Sequence, residues 1–198
     1  MIYKNVLLSL IFVFSTFPAF AIDGVTGIEK YEIDKNHTNI MWYISHMGFS
    51  RIIGKFKEFE GTVDLNHDDT AKSKIYITID TSSIESGVEG LDEKLKSAQF
   101  FDVEKYPEAI FESTNITLAA DDNAEVKGNF TMLGKTKEIS LKVRFNKRAM
   151  DPIVNRMRTG YSIRSSIKRT NWGMDQMLAF VSDEIAITIE AEALRVAK

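Results

Sequence analysis

Apolar and polar residues alternate one by one along most of this chain. The clearest run covers residues 138–145, in which Ile139, Leu141 and Val143 alternate with polar or charged residues. Successive side chains of a strand point to opposite faces, so this pattern predicts a strand with one apolar face. By the same argument, strands are predicted over residues 31–34, 38–47, 54–65, 75–80, 111–118, 126–132, 139–145, 161–167 and 185–191. The apolar parity changes near Glu58, which predicts a β-bulge inside the strand at 54–65.

Short polar segments separate the predicted strands. Residues 66–69 and 121–123 are rich in Asp and Asn, and residues 133–136 read Leu-Gly-Lys-Thr, so all three segments predict tight turns. About eight strands joined in this way predict an antiparallel sheet with one dry face. Closure into a barrel would remove both sheet edges and cover that face. The predicted fold is therefore all-β, an eight-stranded antiparallel barrel whose bore is filled by side chains or holds one small ligand.

One stretch, residues 83–111, departs from the strand pattern. Ser86 and Glu89 have the spacing of a capping box, which marks a helix start. Apolar residues then recur at helical spacing from residue 88 to residue 98, and charged residues such as Lys94 cover the other faces. Phe100 and Phe101 follow at the exit of the helix. We expect this short helical insertion to cover one end of the barrel.

The first 21 residues have the pattern of a secretory signal peptide. Lys4 precedes an apolar run, and residues 19–21 read Ala-Phe-Ala, a small-x-small cleavage site. The apolar run is shorter than the ~20 residues that a spanning helix needs, which favours cleavage over anchoring. We therefore expect export to the periplasm, cleavage after Ala21, and a single barrel domain over residues 22–198.

Composition removes several classes of function. The net charge of −3 argues against a nucleic-acid-binding protein, and the absence of cysteine excludes disulfides and thiolate chemistry. In a barrel that spans a membrane, the polar face carrying Lys142 and Arg144 would meet lipid, at a cost of roughly 2–4 kcal/mol per cation at mid-depth. We therefore expect no stable membrane insertion.

Catalytic and metal-binding patterns are absent from the sequence. The three histidines have no metal-type partner at helical spacing, and no serine lies in a nucleophile-elbow motif. The sequence therefore predicts no catalytic residues, no metal site and no required cofactor.

A polar site is nevertheless predicted at one mouth of the bore. His46 shares the inward parity of its strand, and Arg51 follows within a few residues. If these two residues meet Phe100 and Phe101, the site is apolar below and cationic above, and Arg51 would bind a head group. The alternatives remain open: a core histidine bound to a carbonyl, solvated surface arginines, and aromatic end-plugs.

Several motifs resemble those of the YceI-like proteins, which are bacterial periplasmic polyisoprenoid-binding proteins with a lipocalin-like barrel. These motifs are residues 46–50, His-Met-Gly-Phe-Ser; residues 95–107, Leu-Lys-Ser-Ala-Gln-Phe-Phe-Asp-Val-Glu-Lys-Tyr-Pro; Gly128 to Thr136, in the form Gly-x-x-Thr-x-x-Gly-x-Thr; and Arg169-x-x-Trp172-Gly173. The resemblance covers essentially the whole of residues 22–198. It implies a long apolar tunnel that binds an isoprenoid lipid, with the tail in the bore and the polar head near a mouth.

We therefore expect a carrier or sequestering protein for an isoprenoid lipid, such as a polyprenyl phosphate or a quinone. Two alternative functions remain open: a lipid-modifying enzyme and a structural barrel with a self-filled core. A homodimer is an open alternative to a monomer. The predicted ligand-binding residues are Trp42, Ile44, His46, Phe49, Arg51, Leu95, Phe100, Phe101, Leu141, Val143, Arg158, Tyr161, Ile163, Arg169 and Trp172.

Overall fold

Strands account for most of the residues that the computed structural model describes, residues 24–197. The strands are β1 (Ile28–Ile33), β2 (Asn39–His46), β3 (Ser50–Phe56), β4 (Phe59–Asn66), β5 (Lys74–Asp80), β6 (Ile84–Glu85), β7 (Glu108–Leu118), β8 (Asn123–Met132), β9 (Lys135–Asp151), β10 (Arg156–Lys168) and β11 (Val181–Arg195). One α-helix, α1 (Leu91–Lys96), lies in the described part of the chain, together with short 3₁₀ turns at Lys35–His37, Thr70–Lys72, Thr81–Ser83 and Arg169–Trp172.

The sheet closes into a barrel of eight antiparallel strands. The order around the ring is β1-β4-β5-β7-β8-β9-β10-β11, and β1 pairs again with β11, where Tyr31 lies opposite Arg195. β2, β3 and β6 continue the wall: β2 pairs with the first part of β11, β3 with β2, and β6 with β3. The predicted eight-stranded antiparallel barrel is confirmed.

Three of the barrel strands are interrupted rather than continuous. The 3₁₀ turn at Lys35–His37 separates β1 from β2, and the 3₁₀ turn at Thr81–Ser83 separates β5 from β6. The single bulged strand predicted over 54–65 is wrong, because β3 ends at Phe56 and β4 begins at Phe59. Phe56 and Phe59 both face the bore, although three positions separate them. A continuous strand would point them to opposite faces, so the chain breaks between them.

Tight turns set the register of the hairpins. Leu133 and Gly134 join β8 to β9 with φ of 51° and 68°, the left-handed pair that a two-residue hairpin turn needs. The predicted turn at 133–136 is therefore confirmed. A Cβ atom on Gly134 would lie 2.8 Å from the ring of Tyr106, so this turn is also where the insertion packs against the barrel.

The insertion between β6 and β7 covers one end of the barrel, which we call the helix end; the opposite end is the far end. Phe100 and Phe101 are both buried, and the Phe101 ring meets Phe56 edge to face at 5.7 Å. The predicted capping box is wrong: the helix begins only at Leu91, after Gly90 with φ of 70°. Because Gly90 has a left-handed backbone conformation, a helix cannot run continuously from Ser86. The Ser86 hydroxyl instead donates to the Asp92 carboxylate.

Candidate ligand-binding site

A cavity of about 650 Å³ occupies the bore of the barrel. Its wall comes from the inward faces of the barrel strands, where Ile77, Leu141 and Ile187 alternate with outward polar residues. This alternation is the reason why the wall is almost wholly apolar. The polar side chains that line the cavity are Thr38, His46, Thr70, Ser73, Lys94, Tyr161 and Arg169.

Most of the residues predicted to contact a ligand do line this cavity. They are Trp42, Ile44, His46, Leu95, Phe100, Phe101, Leu141, Val143, Tyr161, Ile163 and Arg169. Strand parity predicts correctly which residues face the bore, because the apolar residues of each strand lie on the face that is buried in the core. Their role in binding a ligand stays a prediction.

Phe49 and Arg51 do not reach the cavity wall. Phe49 lies in the β2–β3 turn and is 85% exposed. Arg51 lies opposite Ser45 in the β2–β3 pair, whereas the neighbouring pair, Ile44 and Ile52, faces the bore. Adjacent residue pairs of a hairpin face opposite sides of the sheet, so the Arg51 side chain points to the outer surface. The predicted contact between Arg51 and a head group inside the mouth is therefore not formed.

Arg158 and Trp172 also lie away from the cavity. Arg158 forms ion pairs at 2.6 Å with each of Asp34, Asp151 and Glu192. Burial by itself lowers the pKa of Arg158, but the three carboxylates hold it above its ordinary value. Trp172 is 1% exposed and belongs to the core.

The Trp172 indole is fixed by two contacts with one neighbour. Its Nε1 donates to the Phe130 carbonyl oxygen at 3.2 Å, and the two rings meet edge to face at 5.6 Å. This indole therefore packs against the back of the cavity wall instead of facing a ligand.

Lys94 is the cation at the mouth of the cavity. Its Nζ lies 3.1 Å from Met177 Sδ and 5.9 Å from the centroid of the Phe100 ring. No carboxylate among residues 24–197 forms an ion pair with it. The predicted placement of Lys94 on the solvent face of the helix is therefore wrong. The spacing of Leu91, Lys94 and Leu95 would have put it on the cavity face, because positions i, i+3 and i+4 are neighbours.

Arg169 lines the cavity, but its donors are already used by the protein. Arg169 is only 1% exposed, and its side-chain nitrogens donate to four backbone carbonyl oxygens in the segment 174–182. Burial lowers the pKa of Arg169, and the charges of Asp183 and Asp175 offset this shift only in part. Arg169 therefore fixes the loop between the 3₁₀ turn and β11 rather than offering a free cation.

A buried ionic cluster fills part of the far end of the bore. Glu29 accepts hydrogen bonds from Arg148, Arg195 and Tyr31, at 2.5, 2.7 and 2.7 Å, and lies 2.9 Å from His67 Nε2. Tyr31 is fully buried, and the side chains of Arg148 and His67 are 5% and 2% exposed. We call these five residues the plug.

The plug changes the acidity of its members. Burial by itself raises the pKa of Glu29, but the hydrogen bonds from Arg195, Tyr31, Arg148 and His67 hold it well below its ordinary value. Burial raises the pKa of Tyr31 to about 12. The plug cannot be predicted from the sequence, because its five members come from β1, β9, β11 and the turn after β4, and no local pattern links them.

One group of side chains on the outside could offer ligand atoms to a metal. Asp34, His37 and Glu192 bring one donor atom each within 4.8 Å of the others. Arg158 Nη1 donates to both Asp34 and Glu192, and His37 Nδ1 lies 2.8 Å from Asp34. The guanidinium therefore already occupies the carboxylates that a cation would need.

Comparison with known proteins places this barrel in a family. The YceI-like domain matches residues 31–193, which include every strand of the closed ring except parts of β1 and β11. The chain belongs to the YceI-like family. A UPF0312 protein of Pseudomonas putida is 35% identical over 153 residues, which cover 76% of this chain and 79% of that protein.

Solved structures share the YceI-like fold. BcnA of Burkholderia cenocepacia has a TM-score of 0.72 and 21% identity, and the match covers 81% of this chain and 98% of BcnA. A polyisoprenoid-binding domain of Saccharophagus degradans has a TM-score of 0.62 and 14% identity, over 84% of this chain and 98% of that domain. In the part of the chain that the structure describes, we find no helix with the length and apolar character to cross a bilayer.

Proposed function

We propose that this YceI-like protein binds an amphiphilic isoprenoid lipid of the polyprenyl phosphate or quinone type in its bore, and carries or sequesters it in the periplasm. The observation that carries the proposal is the apolar cavity of about 650 Å³. Ligand pockets usually measure about 300–1,000 Å³ and combine an apolar wall with a few polar groups. Membership of the YceI-like family and the likeness to a polyisoprenoid-binding domain support the same class of ligand.

The arrangement of polar groups favours a ligand with one polar end. His46 and Lys94 line the cavity at the helix end, whereas the wall below them is built from residues such as Ile44, Leu95 and Phe100. An ammonium group without a carboxylate partner can donate charge-assisted hydrogen bonds to a phosphate or a carbonyl oxygen. We therefore assign the head group to Lys94 and His46, in place of Arg51.

Binding rather than turnover is the activity that the cavity supports best. The titratable residues lining it among residues 24–197 are His46, Lys94, Tyr161 and Arg169. Arg169 is committed to backbone carbonyls, and burial raises the pKa of Tyr161, so its phenol is neutral at pH 7. A lipid-modifying enzyme would need a nucleophile beside a general base, and no described hydrogen bond joins two of these side chains.

The energetics favour selection by shape and head group over selection by hydrophobicity. Each buried CH₂ contributes about 0.8 kcal/mol relative to water. The tail's alternative location is a bilayer, which is equally dry, so the hydrophobic term nearly cancels when the lipid moves from the membrane into the barrel. The fit of the tail to the bore and the contacts of Lys94 and His46 with the head group must then supply the selectivity.

Mass spectrometry of solvent extracts from the purified protein tests the proposal. We expect one isoprenoid lipid in near-stoichiometric amount. A protein that contains no lipid, and takes up none of an offered isoprenoid phosphate, would be a barrel with a self-filled core. Conversion of the lipid into a new product would instead support the enzyme.

The head-group assignment has its own test in a pair of matched variants. Lys94→Met should weaken binding of an isoprenoid phosphate by roughly 10–100-fold, the worth of a hydrogen bond to a charged group. It should leave binding of the same hydrocarbon without a head nearly unchanged. Arg51→Met removes an equal charge from the outer face and serves as the control. Equal losses for both variants would remove Lys94 from the head-group site.

A further inference from the structure

Large exposed apolar side chains gather at the mouth of the cavity, on three separate segments of the chain. Phe49 is 85% exposed and Phe180 is 51% exposed, and the others are between 41% and 50% exposed. We call this set the rim, and its members are Met47, Phe49, Val88, Met177, Leu178 and Phe180. Contiguous exposed apolar patches of this kind mark contacts with proteins, ligands or membranes.

Direct contacts join the three segments into one surface. The Met47 amide donates to the Phe180 carbonyl oxygen at 2.8 Å, and His46 pairs with Val181. These two contacts join the β2–β3 turn to the loop before β11. The 3.1 Å contact between Lys94 Nζ and Met177 Sδ joins that loop to the insertion.

The loop before β11 presents its apolar side chains from a fixed backbone. Arg169 donates to the carbonyl oxygens of Met174 at 2.9 Å and Gln176 at 2.7 Å, and to those of Val181 and Ser182 at 3.3 and 3.0 Å. A buried guanidinium thus holds both ends of the loop. The exposure of residues 177–180 is therefore a built feature of the fold, and does not come from a loose segment.

The rim is continuous with the cavity. Val88 and Met177 line the cavity and are also 49% and 41% exposed at the surface. A lipid tail that enters the bore at this end therefore passes directly over the rim.

Cations are not in excess around the rim. The charged residues within three positions of a rim residue are Arg51, Glu85, Glu89, Asp175 and Asp183, and Lys94 contacts Met177. Without an excess of positive charge, the rim has no electrostatic basis for binding an anionic surface. The rim suits an apolar contact with a neutral, zwitterionic lipid surface.

We propose that the rim inserts into the surface of a lipid bilayer and seats the cavity mouth against it. This inference rests on the proposed lipid ligand, which must move between a bilayer and the bore. During transfer, each methylene group of the lipid tail that is exposed to water lowers the population of the intermediate between bilayer and bore about fourfold. A mouth sealed against the bilayer by apolar side chains avoids that exposure.

Fluorescent labels at the two ends of the barrel test the insertion. The chain contains no cysteine, so Phe180→Cys and Ile153→Cys each carry one environment-sensitive nitrobenzoxadiazole label. Ile153 lies in the β9–β10 turn at the far end and is 90% exposed, which makes it a matched control. With phosphatidylcholine vesicles, the label at 180 should shift to the blue and be quenched by brominated acyl chains. The label at 153 should do neither.

A pair of double variants measures the contribution of the rim. Phe49→Ser with Phe180→Ser should lower partitioning into phosphatidylcholine vesicles at least tenfold. Met150→Ser with Ile153→Ser, at the far end, should leave partitioning unchanged. Because the contact is apolar, raising the salt until the Debye length is about 3 Å should change it little.

Several results would overturn the inference. Equal responses of the two labels would mean that the rim does not orient the protein. Binding seen only with anionic vesicles, and lost in salt, would mean an electrostatic contact. A blue shift at position 180 without vesicles, with dimers in sedimentation that the rim variant abolishes, would make the rim an interface between copies. Lipid extraction from the same samples is a separate readout, so an empty bore with normal vesicle binding would contradict only the proposed ligand.

Discussion

Replacement of Glu29 by glutamine should destabilise the barrel from its far end. The substitution keeps the size of the side chain but removes the charge that Arg148 and Arg195 contact at 2.5 and 2.7 Å. Arg148 is then left as a cation with a side chain that is only 5% exposed. Breaking a buried ion pair by removing one partner costs about 3–5 kcal/mol. Because the Glu29 side chain is 14% exposed, we expect a value near the lower end, ~3 kcal/mol.

Urea unfolding followed by tryptophan fluorescence measures this loss. In a domain of this size, ~3 kcal/mol corresponds to a fall in Tm of roughly 6–12 °C. Glu32→Gln is the matched control, because Glu32 lies on the same strand with its side chain exposed. A surface change of this kind stays within about 0.5 kcal/mol.

The pH dependence gives the same prediction an independent check. The pKa of Glu29 is held well below its ordinary value in the folded protein. The Glu29 carboxylate therefore contributes its full stabilisation above the pKa of the unfolded chain, about 4.3. This contribution to the free energy of unfolding is lost progressively as the pH falls toward the pKa in the folded protein. The stability difference between wild type and Glu29→Gln should shrink from about pH 4 downward. If the loss at neutral pH is no larger than that of Glu32→Gln, or if the difference does not change in acid, the Glu29 carboxylate does not stabilise the far end of the barrel.

Three further predictions follow from the bore and the N-terminus. Leu141→Glu places a carboxylate in the apolar wall and should lower the free energy of unfolding by several kcal/mol or abolish ligand binding. Lys142→Glu on the outer face should do neither, and thermal melts and lipid extraction measure the two effects. Gly54→Ala adds a Cβ atom 2.1 Å from Trp42 Cζ2, so it should shift the tryptophan emission and reduce ligand uptake, whereas Gly160→Ala, with 4.0 Å of clearance, should be silent. The intact mass of the exported protein should lack the first 21 residues; a mass that retains them would contradict the predicted cleavage.

Some features of the site could have been read from local sequence and were not. Lys94 shares a helical face with Leu91 and Leu95, and the cavity face of α1 follows from that spacing alone. The predicted signal peptide lies outside the described residues, so its existence and cleavage after Ala21 stay predictions.

The break between β3 and β4 has a different cause, because Phe56 and Phe59 must both enter the bore. The parity change showed that the strand is irregular there. Only the pairing of each half with different neighbours, β3 with β2 and β4 with β1 and β5, shows that the strand ends.

The barrel, the inward faces of its strands and the position of the insertion can all be predicted from the sequence. These features depend on period-two alternation and on turn residues, which are properties of neighbours along the chain. Which charged side chains face the cavity, and which are paired with one another, depends on tertiary contacts. The orientation of Arg51 depends on its register against β2. The role of Arg169 depends on carbonyls in the loop that follows it, and the plug depends on Glu29 meeting Arg148 from the other side of the barrel. The Glu29–Arg148 contact joins residues 119 positions apart, and even the shorter-range contacts of Arg51 and Arg169 leave no periodic pattern in the sequence.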